Sequence, residues 1–271
     1  DQRGYARDAA CDIGAVEAGA SPGSAPAGDA FLCYQDKLSK GAAKFTAQSG
    51  ISLVDGLGSS TVAATKQRNL CNPAEIDGRV RTDAATRLSQ YQVKSSAAAT
   101  KHLGIRVVNA LGALTLDAIK PELLAAPSNV GKPTAPSGPP NPADHDVDDF
   151  QCYKAAVSKG APKFQGGRRV VVRDQSLWDS VYGQLLDRPE VLDVSKPTHV
   201  CLAADRNGAG YKHPDATLVC YQATPARTAV PTVLYTGKHI PVEGLFANDI
   251  AALQLDTVKY TEVCLPSTRL P

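Results

Sequence analysis

Seven cysteines, five histidines and one run of carboxylates are the side chains whose types and spacing could do chemistry in this chain. The C-x-x-C spacing of metal and haem-attachment sites is absent. His102, His145, His199, His213 and His239 complete no H-E-x-x-H or other metal-ligand spacing. Asp144-His145-Asp146-Val147-Asp148-Asp149 offers hard oxygen ligands of the kind calcium takes. It lacks the glycine and distal glutamate of an EF-hand loop, and reads first as the solvated acidic end of a linker. Gly56-Leu57-Gly58-Ser59-Ser60 has no following lysine or helix to hold a phosphate, and reads as a turn. Gly50-Ile51-Ser52-Leu53-Val54 does not complete a nucleophile elbow. Trp178 and Tyr182 could stack on a sugar ring, although packing under a loop is the plainer reading. With no nucleophile–base pair, metal set or cofactor motif in view, the chain is expected not to be an enzyme and to carry no cofactor.

Composition narrows the class further. The 271 residues suffice for one large domain or two ordinary ones, and a hydrophobic fraction of 43% supports real cores. Charged residues make up 21% with a net charge of +2, which favours neither disorder nor a nucleic-acid surface. Aromatics are only 6%, too few for base-stacking platforms. Gly167-Arg168-Arg169, the nearest basic cluster, reads as a solvated strand end. No apolar run of about 18 residues exists, so no helical membrane span is expected. The chain starts at Asp1 and holds no methionine, which suggests a mature fragment whose preceding part has been removed.

The elements that must position these residues come from an internal repeat. Phe31-Leu32-Cys33-Tyr34 recurs as Phe150-Gln151-Cys152-Tyr153, and Ser39-Lys40-Gly41-Ala42-Ala43-Lys44-Phe45 recurs as Ser158-Lys159-Gly160-Ala161-Pro162-Lys163-Phe164. Leu70-Cys71 then matches Val200-Cys201, Tyr91-Gln92 matches Tyr221-Gln222, and Ala126-Pro127-Ser128 matches Leu265-Pro266-Ser267. The offset grows from 119 (33 to 152) to 130 (71 to 201) to 139 (125 to 264), as one unit with two insertions in its second copy requires. The expected domains are an N-terminal arm at 1–28, a repeat at 29–128, a stiff Pro-rich linker at 129–148 and a second repeat at 149–271. Short runs rich in β-branched residues, at 51–54, 88–93, 105–108, 170–172, 217–221, 232–235 and 250–263, predict an all-β fold. Two tandem β-sandwiches or small β-barrels are the expected architecture. The extra residues of the second copy are expected on loops.

The repeat also turns the cysteine count into a connectivity. The second copy has four cysteines, and the positions matching its Cys220 and Cys264 in the first copy are Gln90 and Ala125. A disulfide is lost cleanly only when both halves go. The pairs expected are therefore Cys33–Cys71, Cys152–Cys201 and Cys220–Cys264, with Cys11 left as an unpaired thiol. Three disulfides imply an oxidising, extracellular or cell-surface location.

Two resemblances rest on these residues. The pattern Phe-x-Cys-Tyr, Leu-Cys-Asn-Pro, Leu-x-x-Tyr, Asn-x-x-Gly and a closing Pro-Ser resembles a family of uncharacterised bacterial repeat domains found in tandem in secreted and surface proteins. That resemblance implies location and modularity, and no activity. The arm, Asp1-Gln2-Arg3-Gly4-Tyr5-Ala6-Arg7 followed by Ala10-Cys11-Asp12-Ile13-Gly14-Ala15-Val16-Glu17, resembles the closing segment of right-handed parallel β-helix surface proteins of the choice-of-anchor type. It implies that this chain begins where a β-helix would end.

The arm reads as a strand carrying Cys11, Ile13 and Ala15 on one face and Val16 on the other, with no sheet neighbour of its own. The function expected is an extracellular structural subunit of a filament or surface assembly, built head-to-tail from copies of itself by strand addition. A secreted carbohydrate- or ligand-binding module is the alternative. Nucleic acid is not an expected partner.

Overall fold

A computed structural model describes residues 28–131, 134–179, 184–226 and 243–271, the backbone alone at 175–179, 184–188 and 243. The arm positions Cys11, Ile13, Ala15 and Val16, the strand expected at 232–235 and His239 lie outside the described residues. The regular structure is all β, as the residue pattern predicts. In chain order the strands are β1 (Ala30–Leu38), β2 (Gln48–Asp55), β3 (Gly58–Ile76), β4 (Arg87–Ser95), β5 (His102–Asn109), β6 (Gly112–Gly131) and β7 (Phe150–Val157). They continue with β8 (Arg168–Asp179), β9 (Gln184–Arg206), β10 (Thr217–Pro225), β11 (Glu243–Ala247), β12 (Ala252–Pro266) and β13 (Thr268–Leu270).

Eight of these strands close a ring, β1-β3-β4-β6-β7-β9-β10-β12 and back to β1, with every pairing antiparallel. The two repeat units thus share one barrel, each supplying four consecutive staves, and seal it along the β6–β7 and β12–β1 seams.

Each repeat unit is itself double, so the ring contains four copies of a two-stave motif. The first staves carry Phe31-Leu32-Cys33-Tyr34, Leu88-Ser89-Gln90-Tyr91, Phe150-Gln151-Cys152-Tyr153 and Leu218-Val219-Cys220-Tyr221. Within the motifs Cys33 faces Cys71, Gln90 faces Ala125, Cys152 faces Cys201 and Cys220 faces Cys264. Between motifs the register slips by two residues: Cys71 faces Leu88, Ala125 faces Phe150, Cys201 faces Leu218 and Cys264 faces Phe31. Two residues at each of four seams is a stagger of eight, and an eight-stranded barrel so staggered has an interior that side chains just fill. The filling here is a layer of sulfur above a layer of Phe31, Leu88, Phe150 and Leu218. The three disulfides are Cys33–Cys71, Cys152–Cys201 and Cys220–Cys264, the pairs expected from the paired loss.

The outer face of the barrel is covered too. The β2–β3, β5–β6, β8–β9 and β11–β12 hairpins fold back over the staves and bury Tyr34, Tyr91, Tyr153 and Tyr221. Each hairpin reaches the motif opposite its own. β2 pairs with the end of β9 and β8 with the end of β3, while β11 pairs with the end of β6 and β5 with β13.

Some details differ from the sequence expectations. Strands run longer than Gly and Pro breaks suggested, because Pro121 and Pro197 sit at register shifts where the ladder is already interrupted. The first insertion of the second repeat lengthens a hairpin instead of forming a loop, with Leu177 facing Leu186 and Asp179 facing Gln184. The Pro-rich linker is packed against the barrel. Asn129–Gly131 belongs to β6 and pairs with β11, and Lys212 Nζ holds the carbonyls of Pro142 and His145.

Fourfold equivalence makes a direct prediction. Gln90→Cys with Ala125→Cys should oxidise spontaneously to a fourth disulfide and raise the unfolding free energy by about 2–4 kcal/mol, read by thiol titration and urea melts. A pair of thiols that stays reduced in air would count against the equivalence.

Candidate functional site

Four Tyr–Asx clasps hold the hairpins to the barrel. Tyr34 Oη donates to Asp174 (2.6 Å), Tyr153 Oη donates to Asp55 (2.7 Å), Tyr91 Oη donates to Asn248 (3.1 Å), and Tyr221 Oη accepts from Asn109 (2.8 Å). Every tyrosine comes from one motif and its partner from the opposite one. The Asx residues also shape the hairpin turns: Asp55 Oδ1 accepts from the Leu57 N–H, Asn109 Oδ1 from Leu111 and Asn248 Oδ1 from Ile250. Burial raises the pKa of Asp55, against the lowering effect of its hydrogen bonds. Gly56-Leu57 is thus the β2–β3 turn, and Gly58–Ser60 opens β3. The recurring tyrosine was visible in the sequence, but its partners stand 98 to 157 residues away and carried no signal.

The upper mouth of the barrel holds a charge cluster. His199, from β9, faces inward beside Glu262 of β12 and Glu122 of β6. Its Nδ1 lies 2.7 Å from Glu262 and its Nε2 3.3 Å from Glu122. Burial alone would lower the histidine pKa, yet the two carboxylates outweigh it and lift it to about 10. Both ring nitrogens are occupied, so this imidazolium is a charged strut and has no free nitrogen to act as a base.

At the lower mouth a cavity of about 350 Å³ opens onto Phe31, Phe150 and Leu218. Its rim carries Asp29, Asp83, Asp146, Asp148 and His213. Asp29 accepts from the Thr82 and Asp83 N–H groups, and Asp148 accepts from those of Lys212 and His213. Asp83 Oδ1 caps Ala85 and Thr86, while its Oδ2 is buried without a hydrogen-bond partner. His213 bridges Asp148 (3.2 Å) and Asp146 (3.4 Å). Burial and Lys212 hold the nearby His145 below its ordinary pKa.

The structure separates the acidic run considered for calcium. Asp144 bonds to Asn141, Asp146 and Asp148 meet His213, and Asp149 turns to Arg206 at 3.1 Å. Among the described residues the one His/Cys/Asp/Glu group close enough to share an ion is Cys33, Glu262 and Cys264, and both cysteines are in disulfides. Trp178 lies on β8 opposite Leu185, and Tyr182 is outside the described residues.

A third concavity, about 480 Å³, runs between the β2–β3 turn and the loop after β4. Ser59, Ser60, Thr61, Ser96 and Thr100 line it with hydroxyls, and Tyr153 and His102 close one end. A further groove of about 870 Å³ runs from Gly104 and Ile105 on β5 past Lys212, His213 and Ala216, and the last two also line the lower mouth. Among the described residues no helix is long and apolar enough to cross a membrane. Compared with known proteins, the chain matches no family model, no curated protein and no solved structure.

Proposed function

We propose that this chain is a disulfide-locked structural subunit of an extracellular filament or cell-surface assembly, which polymerises when the arm strand Cys11–Val16 of one copy adds to a sheet edge of the next. The observation that supports this reading is an edge left half covered. β13 pairs with β5 only at Arg106–Val108, so among the described residues no strand lies on the outer side of His102–Ile105, and Leu103 there is 67% exposed. An unpaired edge of this kind is a template for an added strand. Gly104, in the left-handed region at φ 71°, makes a bulge in that edge, which limits pairing to a short and specific strand. The tether at 18–28 can span roughly 35 Å at about 3.3 Å per residue, enough to reach a neighbour. Three disulfides, compatible with an oxidising space, fit a module built to last outside the cell. Deleting residues 1–17 should abolish polymers in negative-stain images and leave all three disulfides intact. Fibres that persist unchanged would sink the mechanism.

A carbohydrate-binding module is the second reading, favoured by the hydroxyl-lined concavity beside Tyr153. Monodisperse, monomeric protein that retains glycans on an array would support it over the first.

A further inference from the structure

The lower mouth has an apolar floor and a negative rim. Phe31, Phe150 and Leu218 form the floor, and of the rim carboxylates Asp83 keeps one oxygen unbonded while Asp146 meets the fold through His213 at 3.4 Å. Asp83 has one buried oxygen without a partner, and the Asp146 side chain is 78% exposed. Asp29 and Asp148 add charge while fixing their loops. Lys212, its ammonium held by the carbonyls of Pro142 and His145, is one cation beside the four carboxylates of the rim. Such a cavity suits an aromatic group flanked on both sides by cations.

The chain carries one such segment in the residues that precede Gly28. Gly28, where the described structure begins, is itself on the lip of the cavity. In the residues before it the one aromatic is Tyr5, and the two cations are Arg3 and Arg7. Spacing of two residues puts all three side chains on the same side of an extended segment, each arginine about 7 Å from the tyrosine. The 870 Å³ groove joins the lower mouth to the β5 edge, since both are lined by the His213–Ala216 stretch. A segment seated in the mouth is therefore in line to continue along β5.

We infer that the lower mouth receives the Arg3–Arg7 segment of a second copy, with Tyr5 on the Phe31–Phe150–Leu218 floor and Arg3 and Arg7 against Asp83 and Asp146. This rests on the polymer reading above. A strand at Cys11–Val16 on a neighbour's β5 leaves Arg7 only a few residues, about 10–13 Å, from that same neighbour. The mouth then acts as the lock that selects the arm, and the short bulged edge supplies the backbone pairing.

The test uses the full chain in sedimentation velocity. R3E/R7E should raise the concentration needed for assembly at least about tenfold, and Tyr5→Ala should do the same. D83N/D146K should match them, with D146K alone, at an exposed site, as the control that keeps both capping loops. An equimolar mixture of R3E/R7E with D83N/D146K should give discrete dimers, since one intact segment meets one intact mouth. A mixture that stays monomeric while the unaltered chain assembles would overturn docking between copies. Variants that assemble like the unaltered chain, with polymers lost only on deleting 1–17, would refute the mouth as receptor and leave strand addition standing. An unaltered chain that is monomeric at every concentration would remove both.

Discussion

Replacing Cys152 and Cys201 together by alanine is expected to lower the unfolding free energy by about 4 kcal/mol, measured by urea denaturation without reductant. The bridge joins residues 49 apart, and the chain-entropy cost of a loop that long sets the magnitude. The native barrel should survive, because the second motif already lacks its bridge and closes with Gln90 against Ala125. There Asn69 Nδ2 donates to Gln90 Oε1 at 2.7 Å inside the sulfur layer. Both cysteines must go at once. Cys201 Sγ lies 3.9 Å from Cys220 Sγ, and Cys33 Sγ lies 3.8 Å from Cys264 Sγ. In a Cys152→Ala single variant the Cys201 thiolate can attack Cys220, form a Cys201–Cys220 bond and release Cys264 as the thiolate. Mass spectrometry of that single variant should find the exchanged bridge. A loss under about 1 kcal/mol for the double variant would mean that the unfolded chain is already restrained elsewhere.

His199→Ala should cost about 3–5 kcal/mol, because it leaves Glu262 buried and Glu122 half-buried beside each other with no cation. The pH dependence gives a sharper signature. The folded pKa of His199, about 10, lies above its unfolded value, so its contribution is full below about pH 6.5 and fades as pH rises through 10. Glu262 and Glu122 are held below their ordinary range by His199, in Glu262 against a strong opposing effect of burial. Their contribution is present above about pH 4.5 and is lost as pH falls through the depressed values. This cluster should therefore stabilise most between about pH 4.5 and 6.5, and His199→Ala should flatten the alkaline decline. Parallel alkaline limbs in variant and unaltered protein would show that the strut does not exist in solution.

The sequence by itself determined the all-β class, the repeat and the disulfide connectivity. Paired loss at Gln90 and Ala125 needed no geometry, since a half-bridge is useless wherever it sits. The doubling within each repeat was hidden. Its motifs share one tyrosine (Tyr34, Tyr91, Tyr153 and Tyr221) but differ at the facing position, where Ala125 stands in place of Cys71, Cys201 and Cys264. Packing decided the remainder. Hydrophobic alternation reports a strand with one buried face, and the staves of this barrel are buried on both, so Ala30–Tyr34 shows five buried residues in succession. Tandem repeats suggested tandem domains, but four staves cannot close a ring around full-sized side chains, and eight can. The two units therefore complete each other, bringing Cys33 within reach of Cys264 across 231 residues. The clasps, the His199 strut and the acidic mouth arise the same way. Each joins residues whose neighbourhood is set by ring closure and hairpin folding, which local spacing along the chain does not record.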